Sequence, residues 1–325
     1  MKKIFCAVLA LAAMASCSNE YTIDYNKQAI AFGDTFVNNG TRADYSDGTN
    51  QVDEFKVWGT VKGKFTGAEE VYIFDGATVE RPDGLTGYNP ATAWIYTGTQ
   101  YWVPNTNYAF TAIVDGEFAK DGGNYDYTKI PFTVTNGDGD LLYATATASV
   151  ANDGTPETLN PENTAGYVAF QFDHLLSKVQ FTVQNAMATD YSIQVTSIKV
   201  SDVAKDGIYT KDNNGDWSWQ KNGSAVISTP LDFGTTEEIS STGSAVASAT
   251  HQILPVEQTL NVTIGYDIYF GTTKIAEATK SGSIAQTFAK GLVYNVVATI
   301  TNGDQIDFTV ISVKVWASGG NLNVQ

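Results

Sequence analysis

The segment FDHLLSK brings an aspartate, a histidine and a serine together within five residues. Asp173, His174 and Ser177 are the residue types of a hydrolase triad, and the chain has only two histidines. On a strand, however, His174 points to the opposite face from both Asp173 and Ser177. The spacing favours a histidine with a structural hydrogen bond at a domain junction, and it predicts no enzymatic activity.

Two acidic turns carry oxygen ligands in patterns similar to calcium loops. They are NGDGD, with Asp138 and Asp140, and KDNNGDW, with Asp212, Asn214 and Asp216. Neither has the glycine at the sixth loop position or the bidentate glutamate at the twelfth. Their composition is instead typical of tight turns. We expect a hairpin at both places, and we expect no metal and no other cofactor.

Paired aromatic residues are a third chemical feature, because flat rings can bind the faces of sugars. The pairs are Trp94 with Tyr96, Tyr101 with Trp102, and Trp217 with Trp219. Aromatic residues also fill the cores of β-sandwiches, which is the favoured interpretation here. A glycan platform built on Trp94, Tyr96 and Trp102 remains the alternative, with host or bacterial surface ligands as its partners.

The elements that would position these residues are β-strands. Apolar and polar residues alternate in short segments that end at Gly, Asn, Asp or Pro, and no longer window keeps a helical apolar stripe. Examples are EFKVWGTVKGKF, EVYIFDG, YAFTAIV, SKVQFTV, YSIQVTSIKVS and VYNVVATI. The sequence therefore predicts an all-β protein made of sandwiches.

The length predicts two domains, because single cores rarely grow beyond about 250 to 300 residues. The longest stretch without a strand pattern is 148–166, ASVANDGTPETLNPENTAG. We place the boundary after it and after the strand GYVAFQF, which gives domains at 43–173 and 174–325.

The N-terminus begins with two lysines, an apolar run from Ile4 to Met14 and two small residues before Cys17. This order predicts a secretory signal peptide at 1–16. The run is far shorter than the roughly 20 apolar residues that cross a bilayer as a helix. Small residues leading into a cysteine resemble a lipobox, so we expect lipidation at Cys17. An ordinary signal peptide with an incidental cysteine is the alternative.

Removal of the signal peptide leaves 17 basic and 35 acidic side chains. This acidic balance repels nucleic-acid phosphates and anionic lipid surfaces, so neither is an expected partner. Cys6 is lost with the signal peptide, which excludes an intrachain disulfide and a cysteine-ligated metal in the mature chain.

Several segments together resemble the fimbrillin (Mfa-like) family, the subunits of type V pili in Bacteroidota. Besides the lipobox they are QAIAFGDTFVNNGTRA, FKVWG, WIYTGTQYW, DLLYATA and FQFDHLLSKVQFTV. The resemblance implies two tandem transthyretin-like (Greek-key) β-sandwich domains and a lipid-anchored outer-membrane precursor. It further implies assembly with other pilus subunits at the cell surface, in support of adhesion.

The resemblance also implies proteolysis after Arg42, by a trypsin-like protease, at the bond to Ala43. The flanking Asn, Gly, Asp and Ser residues are typical of an exposed, pliable loop. The only other arginine, Arg81, precedes a proline that blocks the bond after it. Cleavage would release a pro-segment at 17–42 whose alternating AIAFG forms a removable strand, with Ile30 and Phe32 on one face.

A lost strand needs a replacement, and the C-terminus offers alternating apolar residues. Ile311, Val313 and Val315 share one face of a strand, and Leu322 and Val324 share a face after ASGGN. We predict donor-strand exchange through these residues. The alternative is that 308–316 forms the last strand of its own domain. The TRA site and the strand-like C-terminus favour a stalk subunit over an anchor or a tip adhesin.

Overall fold

The structure is a computed structural model of the 325-residue chain. It describes residues 28–37, 52, 54–81, 94–161, 166–301, 306–316 and 321–322. The predicted signal peptide, Cys17, Arg42, Ala43 and Val324 lie outside the described residues. Within the described ranges, no helix has the length and apolarity needed to span a membrane.

Regular structure in the described residues consists of β-strands, which confirms the predicted all-β class. The strands are β1 Phe32–Val37, β2 Glu54–Gly63, β3 Glu70–Glu80, β4 Ile95–Tyr96, β5 Thr106–Val114, β6 Ala119–Asp121, β7 Asn124–Asp126, β8 Lys129–Thr133, β9 Leu142–Val150, β10 Pro156–Asn160, β11 Val168–His174, β12 Ser177–Asn185, β13 Tyr191–Ser201, β14 Asp206–Lys211, β15 Trp217–Lys221, β16 Leu231–Asp232, β17 Glu238–Ser240, β18 Val246–Ile253, β19 Glu257–Phe270, β20 Thr273–Thr287, β21 Leu292–Ile300, β22 Ile306–Val315 and β23 Asn321–Leu322.

The described chain forms two compact units. The first contains 28–35, 52, 54–81, 94–112, 144–161 and 166–171, and the second contains the remainder. These units differ from the boundary predicted after residue 173, because 113–143 packs with the C-terminal part of the chain. The reason is strand pairing: β8 is antiparallel to β14, and Val134 N donates to Lys205 O at 2.8 Å.

The first unit is built mainly on a sheet with the order β1-β11-β9-β5-β2-β3-β4, to which β10 adds beside β9. Strands β9 and β10 include part of the stretch 148–166 that was predicted to be strand-free, so that prediction was wrong. Alternation along each strand turns one set of side chains inward. Phe32, Phe55, Phe110 and Phe170 are each at most 2% exposed.

The second unit contains two five-stranded sheets, ordered β18-β12-β21-β22-β23 and β16-β13-β19-β20, with β17 beside β13 in the latter. Strands β12 and β21 run parallel, while their other neighbours are antiparallel. Val179, Phe181 and Val183 alternate along β12 and are fully buried. At Gly282 of β20 an added Cβ would lie 2.5 Å from the Phe308 ring of β22, so a side chain there would displace that ring.

Candidate strand-exchange site

Residues 28–33 lie at the edge of the first unit, where β1 is the terminal strand next to β11. On the N-terminal side of β1, Ala29 forms an isolated antiparallel β-bridge with Tyr101. Main-chain hydrogen bonds hold the segment, among them Ile30 N to Gln100 O at 2.8 Å, Trp102 N to Gln28 O at 3.0 Å, and Val168 N to Ala31 O at 2.8 Å. The segment is thus bonded to neighbours on both of its sides.

Ile30 and Phe32 are the apolar side chains through which this segment joins the core, and each is 1% exposed. They therefore share the buried face, as the alternation of AIAFG predicts. Ring centroids 5.5 to 6.2 Å from that of Phe32 surround it on several sides; they belong to Phe55, Phe74, Tyr96, Phe110 and Phe170. Phe32 is the residue that fills the centre of this aromatic cluster.

A segment held in this way leaves a defined site when it is absent. Without residues 28–33 the aromatic cluster would lose its central ring, and the main-chain groups of Gln100, Trp102 and Val168 would lose their partners. An apolar cleft bordered by unpaired N–H and C=O groups is a template for another extended strand. Loss of the segment would thus expose the kind of groups with which an extended strand pairs.

The three rings predicted as a glycan platform belong to this cluster or lie against it. Trp102 is 4% exposed and meets Tyr108 edge-on at 4.8 Å. Trp94 packs on Phe55 at 5.1 Å. The Tyr96 hydroxyl donates to Ile30 O at 2.6 Å, and burial raises the pKa of Tyr96. Trp102 is buried, whereas Trp94 and Tyr96 are half-buried. A glycan platform on these three rings stays a prediction.

The predicted donor residues Ile311, Val313 and Val315 lie in β22, which is paired with β21 from Ile306 to Val315. These three residues therefore belong to a sheet of their own unit, as the alternative interpretation held. Donation of the face formed by these residues to another subunit stays a prediction. Beyond β22, Leu322 lies in the short edge strand β23, opposite Val313.

Asp173, His174 and Ser177, the residue types of a hydrolase triad, each contact a different residue and do not contact one another as a triad would. His174 Nδ1 lies 2.9 Å from Asp140 Oδ1. Ser177 is fully buried and its Oγ donates to Ala289 O at 2.8 Å. Asp173 stands opposite Tyr143 in the pairing of β11 with β9. A serine whose hydroxyl is buried and bonded to a main-chain carbonyl is not available as a nucleophile.

The turn at 212–216 is the predicted hairpin, between β14 and β15. The Asp212 carboxylate accepts hydrogen bonds from the main-chain N–H groups of Asp216 and Asn214. These bonds lower the pKa of Asp212, and the bond from Asp216 has the larger effect. The carboxylate oxygens of Asp212 therefore stabilise the turn. Among the described residues, no group of three or more His, Cys, Asp or Glu side chains is placed to hold a metal ion.

The turn NGDGD is not the predicted hairpin, since it connects strands of different sheets, β8 and β9. Both histidines of the chain contact it. Asp140 binds His174, and Asp138 Oδ1 lies 3.5 Å from His251 Nδ1. Gly137 has φ +75° and packs on His251, where an added Cβ would lie 2.9 Å from the ring. The aspartates thus fix a crossover connection.

Comparison with solved structures identifies this architecture as that of fimbrial proteins. A fimbrial protein from Bacteroides vulgatus is similar with a TM-score of 0.58 and 18% identity, over 89% of this chain and 99% of that one. A candidate cell adhesion protein from Bacteroides ovatus is similar with a TM-score of 0.51 and 11% identity, over 90% of this chain and 99% of that one. No curated protein is significantly similar in sequence.

The family model described as fimbrillin-like matches residues 41–316. The chain belongs to the fimbrillin-like family. It is therefore a structural, non-enzymatic pilus subunit, and its place of action is the pilus at the cell surface.

Proposed function

We propose that this protein is a polymerising stalk subunit of a type V pilus that joins its neighbours by donor-strand exchange. In this proposal the precursor is anchored by lipid at Cys17 and cut after Arg42, which releases the strand at 28–33. The vacated cleft then accepts the C-terminal segment of the next subunit. The observation that carries the proposal is the burial of Ile30 and Phe32, 1% exposed each, in the segment that leads into the terminal strand β1.

The spacing of apolar residues supports the C-terminus as the replacement. The leaving segment buries residues i and i+2, Ile30 and Phe32, and the tail presents Leu322 and Val324 at the same spacing. Burying two such side chains contributes roughly 3 to 6 kcal/mol before ordering costs. Main-chain hydrogen bonds to the cleft add to this, as they do wherever a peptide extends a sheet.

The position of Arg42 supports cleavage as the trigger. It lies five residues beyond Val37, the end of β1, and twelve residues before Glu54, the start of β2. A cut there separates the whole of 28–37 from the rest of the chain. The released peptide then keeps only its non-covalent contacts, so a strand from another subunit can compete with it.

The proposal is tested by treating the full chain with an arginine-specific trypsin-like protease and separating the products on a native gel. We expect cleavage after Arg42 followed by a ladder of oligomers. A cleaved protein that stays monomeric at high concentration would refute strand exchange. Binding of polysaccharide by such a monomer would favour the glycan-binding alternative instead.

Lipidation at Cys17 gives a separate prediction. Acyl chains contribute about 0.8 kcal/mol per buried CH₂, so two or more chains hold a protein stably on a membrane. We expect Cys17→Ala to remove the precursor from the outer-membrane fraction of a lipoprotein-processing bacterium, as measured by fractionation and metabolic labelling with a fatty acid. Ser16→Ala, which keeps a small residue before the cysteine, is the control. Unchanged membrane association of Cys17→Ala would contradict the assignment.

A further inference from the structure

The Tyr96 hydroxyl contacts the main chain of the N-terminal segment at Ile30. It donates to Ile30 O at 2.6 Å and accepts from Gln100 N at 3.2 Å. Gln100 O is the poorer acceptor for this hydroxyl, at 3.5 Å, and it receives the Ile30 N–H at 2.8 Å instead. The single hydroxyl proton therefore binds Ile30, and both main-chain groups of Ile30 are bonded to the segment 96–100.

Tyr96 is held in place by residues that do not belong to the N-terminal segment. It lies in β4 and pairs with Val79 of β3. Its ring meets that of Phe74 edge-on, with 5.2 Å between centroids. Burial raises the pKa of Tyr96, and the hydrogen bond with Gln100 opposes the rise, so the hydroxyl keeps its proton at neutral pH. These contacts persist, and the hydroxyl stays a donor, when residues 28–33 leave.

The hydrogen bond from Tyr96 differs in kind from the side-chain contacts of the cleft. The contacts of Phe32 with the surrounding rings depend on what side chain stands there. A main-chain carbonyl is the same in every residue, so the bond to it does not depend on the sequence of the strand. A partly buried hydroxyl that loses its acceptor costs more free energy than an exposed one, and any extended strand with a carbonyl at that place restores the bond.

We propose that Tyr96 is a positioning residue of the cleft, whose hydroxyl holds the main chain of whichever extended strand occupies it. That strand is residues 28–33 in the precursor and a strand of another subunit after assembly. The inference rests on the proposed strand exchange. It names the group by which the incoming strand is recognised, namely the main-chain carbonyl of the residue that takes the place of Ile30.

Release of the resident strand measures what the hydroxyl contributes. The full chain is cleaved after Arg42 and mixed with an excess of a fluorescent synthetic peptide of residues 28–37, whose entry is followed by anisotropy. Tyr96→Phe keeps the ring and removes only the hydroxyl. We expect this variant to release its strand about fivefold faster than wild type, the effect of one lost hydrogen bond between neutral groups. Release at the wild-type rate would overturn the inference.

Tyr108 supplies the matched control. It is 3% exposed, and its hydroxyl accepts from Val103 N at 2.7 Å and donates to Tyr101 O at 3.4 Å. Tyr108→Phe thus removes a buried hydroxyl from the same unit while the bond from Tyr96 to the N-terminal segment is kept. We expect Tyr108→Phe to lower the unfolding temperature and to leave the release rate unchanged. Equal acceleration by both variants would indicate general loosening and would overturn the role of Tyr96.

A second peptide of residues 28–37, carrying Phe32→Leu, tests whether the hydroxyl binds the main chain alone. Each labelled peptide is bound to cleaved protein and chased with an unlabelled excess. We expect the Leu peptide to dissociate faster than the Phe peptide from wild type, because it fills the aromatic cluster less well. We expect Tyr96→Phe to speed the dissociation of both peptides by the same factor. An effect confined to the Phe peptide would overturn the inference, since the hydroxyl would then serve the native strand only.

Failure of the proposed strand exchange is distinguishable, because no labelled peptide would then enter cleaved wild-type protein. Hydrogen exchange on the uncleaved chain tests the hydroxyl in that event as well. We expect Tyr96→Phe to speed exchange of the Ile30 amide about fivefold and Tyr108→Phe to leave it unchanged. An Ile30 amide that exchanges at the wild-type rate in Tyr96→Phe would show that the hydroxyl does not hold the resident strand.

Discussion

Arg42→Ala protein is expected to remain a folded monomer under protease treatment that converts the wild type into a ladder of oligomers. The substitution removes the cleavable bond, so residues 28–33 stay covalently attached and Ile30 and Phe32 keep their buried places. An intramolecular strand competes at a high effective concentration against a strand from another subunit. The measurement is a native gel, with mass photometry of the same samples.

The other arginine supplies a matched control. Arg81 precedes Pro82, and Arg81→Ala is expected to leave both cleavage and the ladder unchanged. Filaments formed by Arg42→Ala at the wild-type rate would show that cleavage at this bond is not the trigger. The N-terminal half of the proposed mechanism would then be abandoned.

Phe32→Ala is expected to destabilise the precursor strongly while leaving the cleaved, assembled subunit unaffected. Phe32 is 1% exposed and lies among five aromatic rings, and truncating such a residue to alanine typically costs about 3 to 5 kcal/mol. If the strand leaves after cleavage, Phe32 is no longer part of the folded subunit, and its truncation no longer lowers the free energy of unfolding. The measurement is urea unfolding of the precursor and of the purified polymer.

Phe170→Ala is the matched control for Phe32→Ala. Phe170 is fully buried and stacks on Phe32 with 5.8 Å between centroids, but it lies on β11, which stays in the subunit. Its truncation should destabilise the precursor and the polymer alike. If Phe32→Ala also destabilised the polymer, the N-terminal strand would still be present there, which contradicts its release.

The sequence alone predicted the features that depend on residues close together in the chain, such as the buried face of a strand and the residues of a tight turn. The AIAFG pattern placed Ile30 and Phe32 on one buried face, because period-two patterning directly encodes the side of a strand. The Asn214 and Asp216 turn was likewise predicted correctly, since Asx hydrogen bonds act within a few residues.

What the sequence could not predict depends on which distant strand becomes the neighbour. The alternation of Ile311, Val313 and Val315 is the same for a donated strand and for one paired with its own β21. The NGDGD turn looks like a hairpin locally, yet its strands join different sheets. For Trp102 the sequence favoured the core and left a platform as the alternative, and only the placement of Tyr108 and Phe110 against it shows the core position.

Strand exchange is tested most directly by mixing two subunits that each lack one half of the mechanism. One is cleaved and lacks Asn321–Gln325, so it has an open cleft and no complete tail. The other is uncleaved Arg42→Ala, with an intact tail and an occupied cleft. We expect native mass spectrometry to show a one-to-one heterodimer that does not grow, while each protein alone stays monomeric. The absence of a heterodimer, or growth of the mixture into longer filaments, would contradict donor-strand exchange between these two ends of the chain.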